Sequence, residues 1–175
     1  MKAILIFVTS LDGKITRWGD PSVRKWSSVN DQRHFDSIWN STRVIIMGSR
    51  TYSPDPVQPD DKHTFVVMTR NPENYTVQSI PGRLEFTSDL PGVLLERFRR
   101  DNEERVLIVG GSEIATLFLS KNLIDELWLT LEPKIFGAGD SFVTGEKLDV
   151  NLELIDVEKV NERGTLITKY RVVKH

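Results

Sequence analysis

Two short glycine-containing segments combine residue types that can bind phosphate. Gly110, Gly111 and Ser112 follow one run of apolar residues, and Gly48 follows another. Each run predicts a buried strand, and the residues beyond each segment predict a helix. Backbone N–H groups at a helix start lack partners and carry partial positive charge, so they bind phosphate oxygens, and glycine lets a ligand approach the backbone. The same pattern also fits a tight turn in which glycine only supplies an unusual dihedral angle.

Polar residues beyond Gly48 strengthen the phosphate-binding interpretation. Ser49, Arg50 and Thr51 come next, so that Arg50 can pair with a phosphate and Thr51 can donate its hydroxyl. The alternative is a helix cap beside an exposed arginine. Neither glycine segment is G-x-G-x-x-G, and neither continues as Gly-Lys-Ser/Thr, which disfavours an ordinary Rossmann domain and a P-loop.

Thr69 and Arg70 follow a further predicted strand. The flat guanidinium fork of an arginine binds phosphate through two hydrogen bonds. At the end of a strand beside a dinucleotide, Arg70 would bind a 2'-phosphate and so select NADPH over NADH. The alternative is an exposed arginine in a turn.

Asp31 is the candidate acid. It lies four residues before Phe35, on a helical face that also carries Ile38 and Trp39. An acid beside an apolar stripe predicts a pocket carboxylate whose pKa is raised by burial. Ser28 and Asp31 also fit a capping box at the start of this helix, and the two roles are compatible.

The elements that position these residues alternate between strand and helix. Ligands of open α/β sheets bind beyond the carboxyl ends of the strands, which is where the candidate residues fall. We therefore expect a mostly parallel sheet with helices on both faces and an antiparallel hairpin at the end. Strands are predicted at residues 3–8, 43–47, 64–69, 84–87, 105–109 and 127–131, the hairpin at 152–157 and 165–173, and helices from Ser28, over 91–101 and from a cap at Ser112.

Length and composition predict one globular domain, 1–175. The 23 basic and 25 acidic side chains give a net charge of -2, which offers no basic surface for nucleic acid. The absence of cysteine excludes disulfides and thiolate chemistry, and the histidines do not have metal-ligand spacing. No apolar stretch approaches the length of a membrane span or signal peptide, so a cytoplasmic location is expected.

Four segments together resemble one family of reductases. Residues 44–52 (VIIMGSRTY) resemble the V-I-M-G-x-x-T-(W/Y) segment of dihydrofolate reductases, and residues 109–114, 125–130 and 136–142 resemble the second half of that fold. Residues 9–15 (TSLDGKI) are more similar to the start of the reductase domain of bifunctional riboflavin-biosynthesis deaminase-reductases. The zinc-binding deaminase half of those enzymes has no counterpart here.

The resemblance implies a three-layer dihydrofolate reductase-like fold and a homodimer. It also implies NADPH along the carboxyl edge of the sheet, with hydride passing to a heterocyclic or imine-like substrate. The residues implied for the cofactor site are Gly48, Ser49, Arg50, Thr51, Thr69, Arg70, Gly110, Gly111, Ser112 and Glu113.

For the substrate, the riboflavin-type resemblance implies 5-amino-6-(5-phosphoribosylamino)uracil, whose opened sugar offers a reducible carbon–nitrogen bond. The residues then expected to bind the substrate are Ser10, Asp12, Lys14 and Ser28, with Lys14 serving the phosphate as a point charge. Arg17 and Arg24 are either further ligands or solvated loop residues, and Asp12 is alternatively a turn former beside Gly13.

Two other functions stay open. In dihydrofolate reductases an acid on the helix of Asp31 anchors the pterin and supports its protonation, although Ala115 departs from the aromatic residue usual there. The second alternative is a protein that binds NADPH without turnover. A hydrolase or transferase is disfavoured by the absence of a serine elbow, a P-loop and a metal cluster.

Overall fold

A computed structural model describes residues 1–174, and a single eight-stranded sheet forms the centre of this part of the chain. The strands are β1 (Lys2–Ser10), β2 (Val44–Gly48), β3 (Thr64–Met68), β4 (Leu84–Thr87), β5 (Arg105–Ile108), β6 (Glu126–Glu132), β7 (Leu152–Lys159) and β8 (Leu166–Val172). Their order is β4-β3-β2-β5-β1-β6-β8-β7, and the first six are parallel. β8 is antiparallel to β6 and β7 is antiparallel to β8, so the predicted sheet and closing hairpin are confirmed.

Helices cover both faces of the sheet and produce three layers. They are α1 (Val29–Asn40), α2 (Ser49–Tyr52), α3 (Pro91–Arg100) and α4 (Ser112–Ser120), with short 3-10 helices at Val23–Lys25 and Pro72–Tyr75. In β1, Ala3 and Leu5 pack in the core with α3 and α4, whereas Ile4 and Ile6 pack in the core with α1. Successive strand side chains point to opposite faces, which is why the central strands β2, β3 and β5, covered on both sides, consist mainly of apolar residues.

The loop between β1 and α1 is fixed to the loop that follows β6. The backbone N–H of Ile15 donates to the carbonyl oxygen of Asp140 at 2.8 Å. The N–H of Asp140 donates to the Thr16 hydroxyl at 2.7 Å, and that hydroxyl donates to the Asp140 carboxylate at 3.2 Å. These bonds join segments 124 residues apart in sequence and hold the β1–α1 loop in one place.

Gly139 is required where these two loops meet. Its φ of +137° lies in the region that favours glycine, and a Cβ atom there would lie 2.1 Å from the carbonyl oxygen of Thr16. We expect Gly139→Ala to lower the free energy of unfolding by about 1–3 kcal/mol, because the backbone of one loop must move. Urea unfolding measures this change. Gly145→Ala is the control, since nothing lies within 4 Å of a Cβ at Gly145; equal stability of the two variants would contradict the prediction.

β7 forms an exposed edge of the sheet. All eight of its residues are exposed, and Leu152, Leu154 and Val157 lie on one face. Exposed edges with apolar side chains favour association, so this edge is where we expect two chains to meet. The homodimer itself stays a prediction. We expect a dimeric mass in light scattering and a shift toward monomer in Leu154→Glu. Val77→Glu, at a side chain that is 99% exposed elsewhere, should keep the mass of the parent, and a monomeric parent would contradict the prediction.

Two kinds of feature do not occur in the described chain. No helix within residues 1–174 combines the length and the apolar composition that a membrane span needs. The same residues contain no group of three or more histidine, aspartate or glutamate side chains arranged to hold a metal ion, and His175 lies outside them.

Candidate active site

A cleft of about 1470 Å3 opens beyond the carboxyl ends of the parallel strands. It is lined by Val8 after the middle of β1, by Gly48 at the end of β2, by Thr69 after β3 and by Val109 after β5. α1 and the loop before it form a further wall, to which Asp31 contributes. A doubly covered parallel sheet leaves its carboxyl edge open between the helices, so this is where the fold can bind a ligand.

The two glycine turns interlock at the floor of this region. The N–H of Gly48 donates to the carbonyl oxygen of Gly110 at 2.8 Å. A Cβ at Gly48 would lie 2.8 Å from the Ile114 side chain, and one at Gly111 would lie 3.3 Å from the Thr51 hydroxyl. The protein's own side chains therefore fill the direction in which a Cβ atom would point, while both glycines line the cleft, so that a close approach of a ligand to their backbone stays a prediction.

Gly110 does not line the cleft, in contrast to the other residues of the predicted cofactor site. A Cβ there would lie 2.8 Å from the Phe7 ring, and Phe7 itself lines the cleft. The residues of this set that do line the cleft are Gly48, Ser49, Arg50, Thr51, Thr69, Arg70, Gly111, Ser112 and Glu113.

The start of α4 presents free backbone N–H groups to the cleft. Gly111 is the N-cap and no side chain caps the helix, so the predicted cap at Ser112 is wrong. Ser112 is instead the first helical residue, and its hydroxyl donates to the carbonyl oxygen of Ser141. An uncapped helix start keeps its partial positive charge available to an anion.

Two arginines at this end of the cleft differ in their partners. Arg50 donates to the Glu113 carboxylate at 2.8 Å, and this exposed ion pair joins α2 to α4. Arg70 is exposed, and its side chain forms no ion pair or hydrogen bond with any of residues 1–174. Of the predicted phosphate ligands, Arg70 is therefore the cation that is free to bind.

Asp31 lies at the other end of the cleft and is only 6% exposed. Burial raises the pKa of its carboxyl, the facing hydroxyls of Thr130 and Ser27 oppose that rise, and the nearby carboxylate of Glu132 adds to it. The carboxyl therefore retains its proton to a higher pH than an ordinary aspartate. Such a group can donate a proton at a higher pH than an ordinary aspartate can.

The capping box predicted at the start of α1 forms in part. The Ser28 hydroxyl accepts from the N–H of Asp31 at 3.2 Å, which confirms Ser28 as the N-cap. The N–H of Ser28, however, donates to Glu132 Oε1 at 2.6 Å and not to Asp31. Because Glu132 takes this hydrogen bond, the Asp31 side chain is available to the cleft.

Glu132 is the important residue that the sequence did not reveal. It is 2% exposed, and its second oxygen accepts from the Thr165 hydroxyl at 2.8 Å. The one available signal is its spacing from Thr130, which places both side chains on the face of β6 that is turned toward α1. A buried charged residue needs partners, and those partners lie 33 and 104 positions away in sequence.

Glu132→Gln tests the influence of this carboxylate on Asp31. We expect the pKa of Asp31 to fall, because a nearby like charge is removed while an oxygen remains to accept from Ser28. Carboxyl-detected NMR titration of Asp31 measures the change. Glu85→Gln, which removes an acid paired with Arg97, is the control. An unchanged Asp31 pKa in Glu132→Gln would contradict the prediction.

The residues predicted to bind the substrate do not line the cleft. Ser10 is fully buried, and its hydroxyl donates to Asp12 at 2.6 Å and accepts from the N–H of Lys14 at 3.0 Å. Asp12 also accepts from the N–H groups of Phe136 and Gly137. These hydrogen bonds, that of Ser10 first, lower the pKa of Asp12 to about 2.

Lys14 and Ser28 are committed to structural contacts as well. Lys14 Nζ donates to the Ser141 hydroxyl at 3.3 Å, and Ser28 caps α1. The segment that was expected to hold a substrate phosphate therefore serves to join the β1–α1 loop to the loop after β6.

Comparison with known proteins identifies the family. The model of the RibD C-terminal domain matches residues 1–166. The chain belongs to this family. Membership makes it a reductase of the riboflavin-pathway type, in agreement with the resemblance seen in its sequence.

Three solved structures share the fold of this RibD-type domain. A pyrimidine reductase-like protein from Corynebacterium diphtheriae is 15% identical, with a TM-score of 0.80 over 99% of this chain and 92% of that one. The diaminohydroxyphosphoribosylaminopyrimidine deaminase/5-amino-6-(5-phosphoribosylamino)uracil reductase from Thermotoga maritima is 18% identical, with a TM-score of 0.75 over 98% and 56%. Dihydrofolate reductase from Enterococcus faecalis, complexed with NADP(H), is 20% identical, with a TM-score of 0.66 over 98% and 96%. The dihydrofolate reductase-like fold is confirmed.

Proposed function

We propose that the chain is an NADPH-dependent reductase that transfers hydride to a pyrimidine-type substrate. The observation that carries this proposal is that one continuous cleft joins a site suited to phosphate with a buried acid. Its phosphate-binding end combines the uncapped start of α4 with Arg70, and its other end holds the buried carboxyl of Asp31. Family membership supports reduction, and the NADP(H) in the structurally similar dihydrofolate reductase supports the cofactor.

The residues at the phosphate-binding end fit a phosphorylated dinucleotide. The N–H groups at the start of α4 would hold a bridging phosphate, and Arg70 would pair with a 2'-phosphate, which NADH lacks. Bound NADPH supplies a hydride, that is two electrons and one hydrogen nucleus, to the carbon of a carbon–nitrogen double bond.

Asp31 would supply the proton that completes the reduction. The nitrogen next to the reduced carbon would take this proton, so that hydride and proton together would convert the double bond into an amine and leave NADP+. Burial keeps the Asp31 carboxyl protonated to a higher pH and keeps bulk water from it. The walls of the cleft contribute by holding the two reacting carbons in contact.

Three candidate functions have to be distinguished, two of which differ in the substrate that is reduced. The pyrimidine class is supported by the family and by the names of the structurally similar proteins, including the 5-amino-6-(5-phosphoribosylamino)uracil reductase. Dihydrofolate is the second candidate substrate. The buried Asp31 on α1 favours it, because dihydrofolate reductases anchor the pterin with an acid on the corresponding helix. A chain that binds NADPH without turnover is the third.

One set of measurements separates these functions. We would titrate the purified protein with NADPH and NADH, and then follow reduced-nicotinamide absorbance with the ribosylaminopyrimidine, its 5'-phosphate and dihydrofolate. Oxidation with a pyrimidine supports the proposal, and oxidation only with dihydrofolate favours the second candidate. Tight NADPH binding without oxidation indicates a binding protein, and no binding of NADPH overturns the whole proposal.

A further inference from the structure

Two buried carboxyl groups lie near each other at the start of α1. Asp31 and Glu132 are both buried, and the charge of Glu132 acts on the Asp31 carboxyl. Two such groups resist ionising together, so one of them retains a proton to a higher pH. Hydrogen bonds donated to a carboxylate favour its charged form, so the donors around each group decide which one retains the proton.

The surroundings of Asp31 favour its protonated form. Burial is the largest influence and raises its pKa, whereas the hydroxyls of Thr130 and Ser27 oppose the rise. The charged groups that act on it are Glu132 on β6, which raises the pKa, and Arg24 in the loop before α1, which lowers it. The balance leaves the pKa above that of an ordinary aspartate.

Glu132 has a donor on each of its two carboxyl oxygens. The N–H of Ser28 donates to Oε1 at 2.6 Å, and the Thr165 hydroxyl donates to Oε2 at 2.8 Å. A charged carboxylate only accepts hydrogen bonds, so this pair of donors matches the charged form. The backbone N–H can only donate, whereas a hydroxyl can also accept, so the direction of the Thr165 hydrogen is decisive.

Asn161 fixes the direction of that hydrogen. The N–H of Thr165 donates to Asn161 Oδ1 at 3.1 Å, which identifies the other atom of this amide as the donor. Asn161 Nδ2 then donates to Thr165 Oγ1 at 2.9 Å. Because the threonine oxygen accepts from Asn161, its own hydrogen is left for Glu132.

The turn that carries both residues is held against the start of α1. This β7–β8 turn comprises residues 160–165. Asn30 Nδ2 donates to the carbonyl oxygen of Val160 at 3.0 Å, and Asn161 Nδ2 donates to Asn30 Oδ1 at 3.4 Å. The turn therefore contacts the helix that carries Asp31, although the two segments are 130 positions apart in sequence.

We infer that the β7–β8 turn, through Asn161 and Thr165, keeps Glu132 in its charged form and thereby leaves the proton on Asp31. The inference rests on the proposed function, in which Asp31 donates this proton, and adds the groups that hold the proton there. Thr165 and Glu132 are positioning residues, because neither is among the residues of 1–174 that line the cleft.

Thr165→Val tests the inference because it removes the hydroxyl and keeps the shape of the side chain. Glu132 then loses one of its two donors and competes better for the proton, so the pKa of Asp31 should fall by about half a unit or more. Carboxyl-detected NMR titration measures this pKa. The alkaline decline of kcat should move to lower pH by the same amount, while the Kd for NADPH stays unchanged. Thr165→Ser, which restores a hydroxyl, should return both readouts toward the parent values.

Thr168→Val is the matched control. Thr168 is also buried, but its hydroxyl donates to the carbonyl oxygen of Leu129 at 2.8 Å, so the same substitution there leaves Glu132 untouched. It should leave the pKa of Asp31 and the alkaline limit of kcat unchanged. Asn161→Ala is a second test at a half-buried position, because it frees the Thr165 hydroxyl to rotate and should shift the pKa of Asp31 in the same direction.

A double variant shows whether the hydroxyl acts through Glu132. Glu132→Gln combined with Thr165→Val should shift the pKa of Asp31 no further than Glu132→Gln alone. A full additional shift in the double variant overturns the inference, because the hydroxyl then acts by another route.

The remaining outcomes separate this inference from the proposed function. An Asp31 pKa that is unchanged in Thr165→Val and Asn161→Ala, or that falls equally in Thr168→Val, overturns the inference and leaves the reductase intact. The NMR titration requires no turnover. A protein that neither binds nor oxidises NADPH therefore overturns the proposed function, while the titration still decides which carboxyl retains the proton.

Discussion

Asp31→Asn should lower kcat at least about 100-fold while making the folded protein more stable. The loss of activity is expected because an amide cannot supply the proton that the reduced nitrogen needs, and general acid catalysis typically contributes this much or more. The gain in stability is expected because a buried carboxylate beside Glu132 is unfavourable in its charged form. A residue with a purely structural role would show the opposite combination.

The pH dependence follows from the direction of the Asp31 pKa shift. The folded pKa is raised above the ordinary value of 3.8, so folding favours the protonated form. The stabilisation from this group is fully present below pH 3.8 and is lost as pH rises through the folded pKa. The activity of the parent should also fall as pH rises through that pKa, because the donor loses its proton.

Steady-state NADPH oxidation across pH, together with urea unfolding, checks both parts. The alkaline decline in kcat should be absent from the residual activity of Asp31→Asn. Asp61→Asn serves as the control, because Asp61 is an exposed acid paired with Arg83 outside the cleft. Full activity in Asp31→Asn would remove Asp31 from the mechanism, and decreased stability would show that its carboxylate supports the fold.

The elements of the fold could be predicted from the sequence because their signals are local. The strands β2, β3 and β5 are short apolar runs that are buried on both faces, and a glycine or proline lies at or shortly after the end of each run. The position of Asp31 could be predicted for the same reason, since helical spacing places it near Phe35. These patterns depend on neighbours within a few residues, and no long-range contact has to be known.

The partners of the polar residues could not be predicted, because they come from distant segments. Glu132 accepts a hydrogen bond from the N–H of Ser28, 104 positions away in sequence. The Asp12 carboxylate accepts from N–H groups of the loop after β6, which lie 124 and 125 positions away. Sequence spacing therefore suggested Asp12 as a ligand, although its hydrogen bonds are used within the fold. The same limit applies at Gly48, where Ile114 fills the space that glycine leaves.

Arg70→Gln should raise the Kd for NADPH roughly tenfold or more and leave the Kd for NADH nearly unchanged. A charge-assisted pair with a phosphate typically contributes about 1.5–3 kcal/mol, which NADH cannot gain because it has no 2'-phosphate. Arg70 has no partner within residues 1–174, so its removal breaks no contact of the fold and any change in affinity reports on the cofactor. Fluorescence titration with each nucleotide measures the ratio.

Arg50→Gln is the matched control for this prediction. Arg50 lines the same end of the cleft but is paired with Glu113, so part of its charge is already neutralised. We expect Arg50→Gln to weaken NADPH and NADH to a similar, smaller extent, because both carry the bridging phosphates that lie near helix starts. If Arg50→Gln and not Arg70→Gln abolished the preference for NADPH, the 2'-phosphate would lie between α2 and α4, and the orientation proposed for the cofactor would have to be reversed.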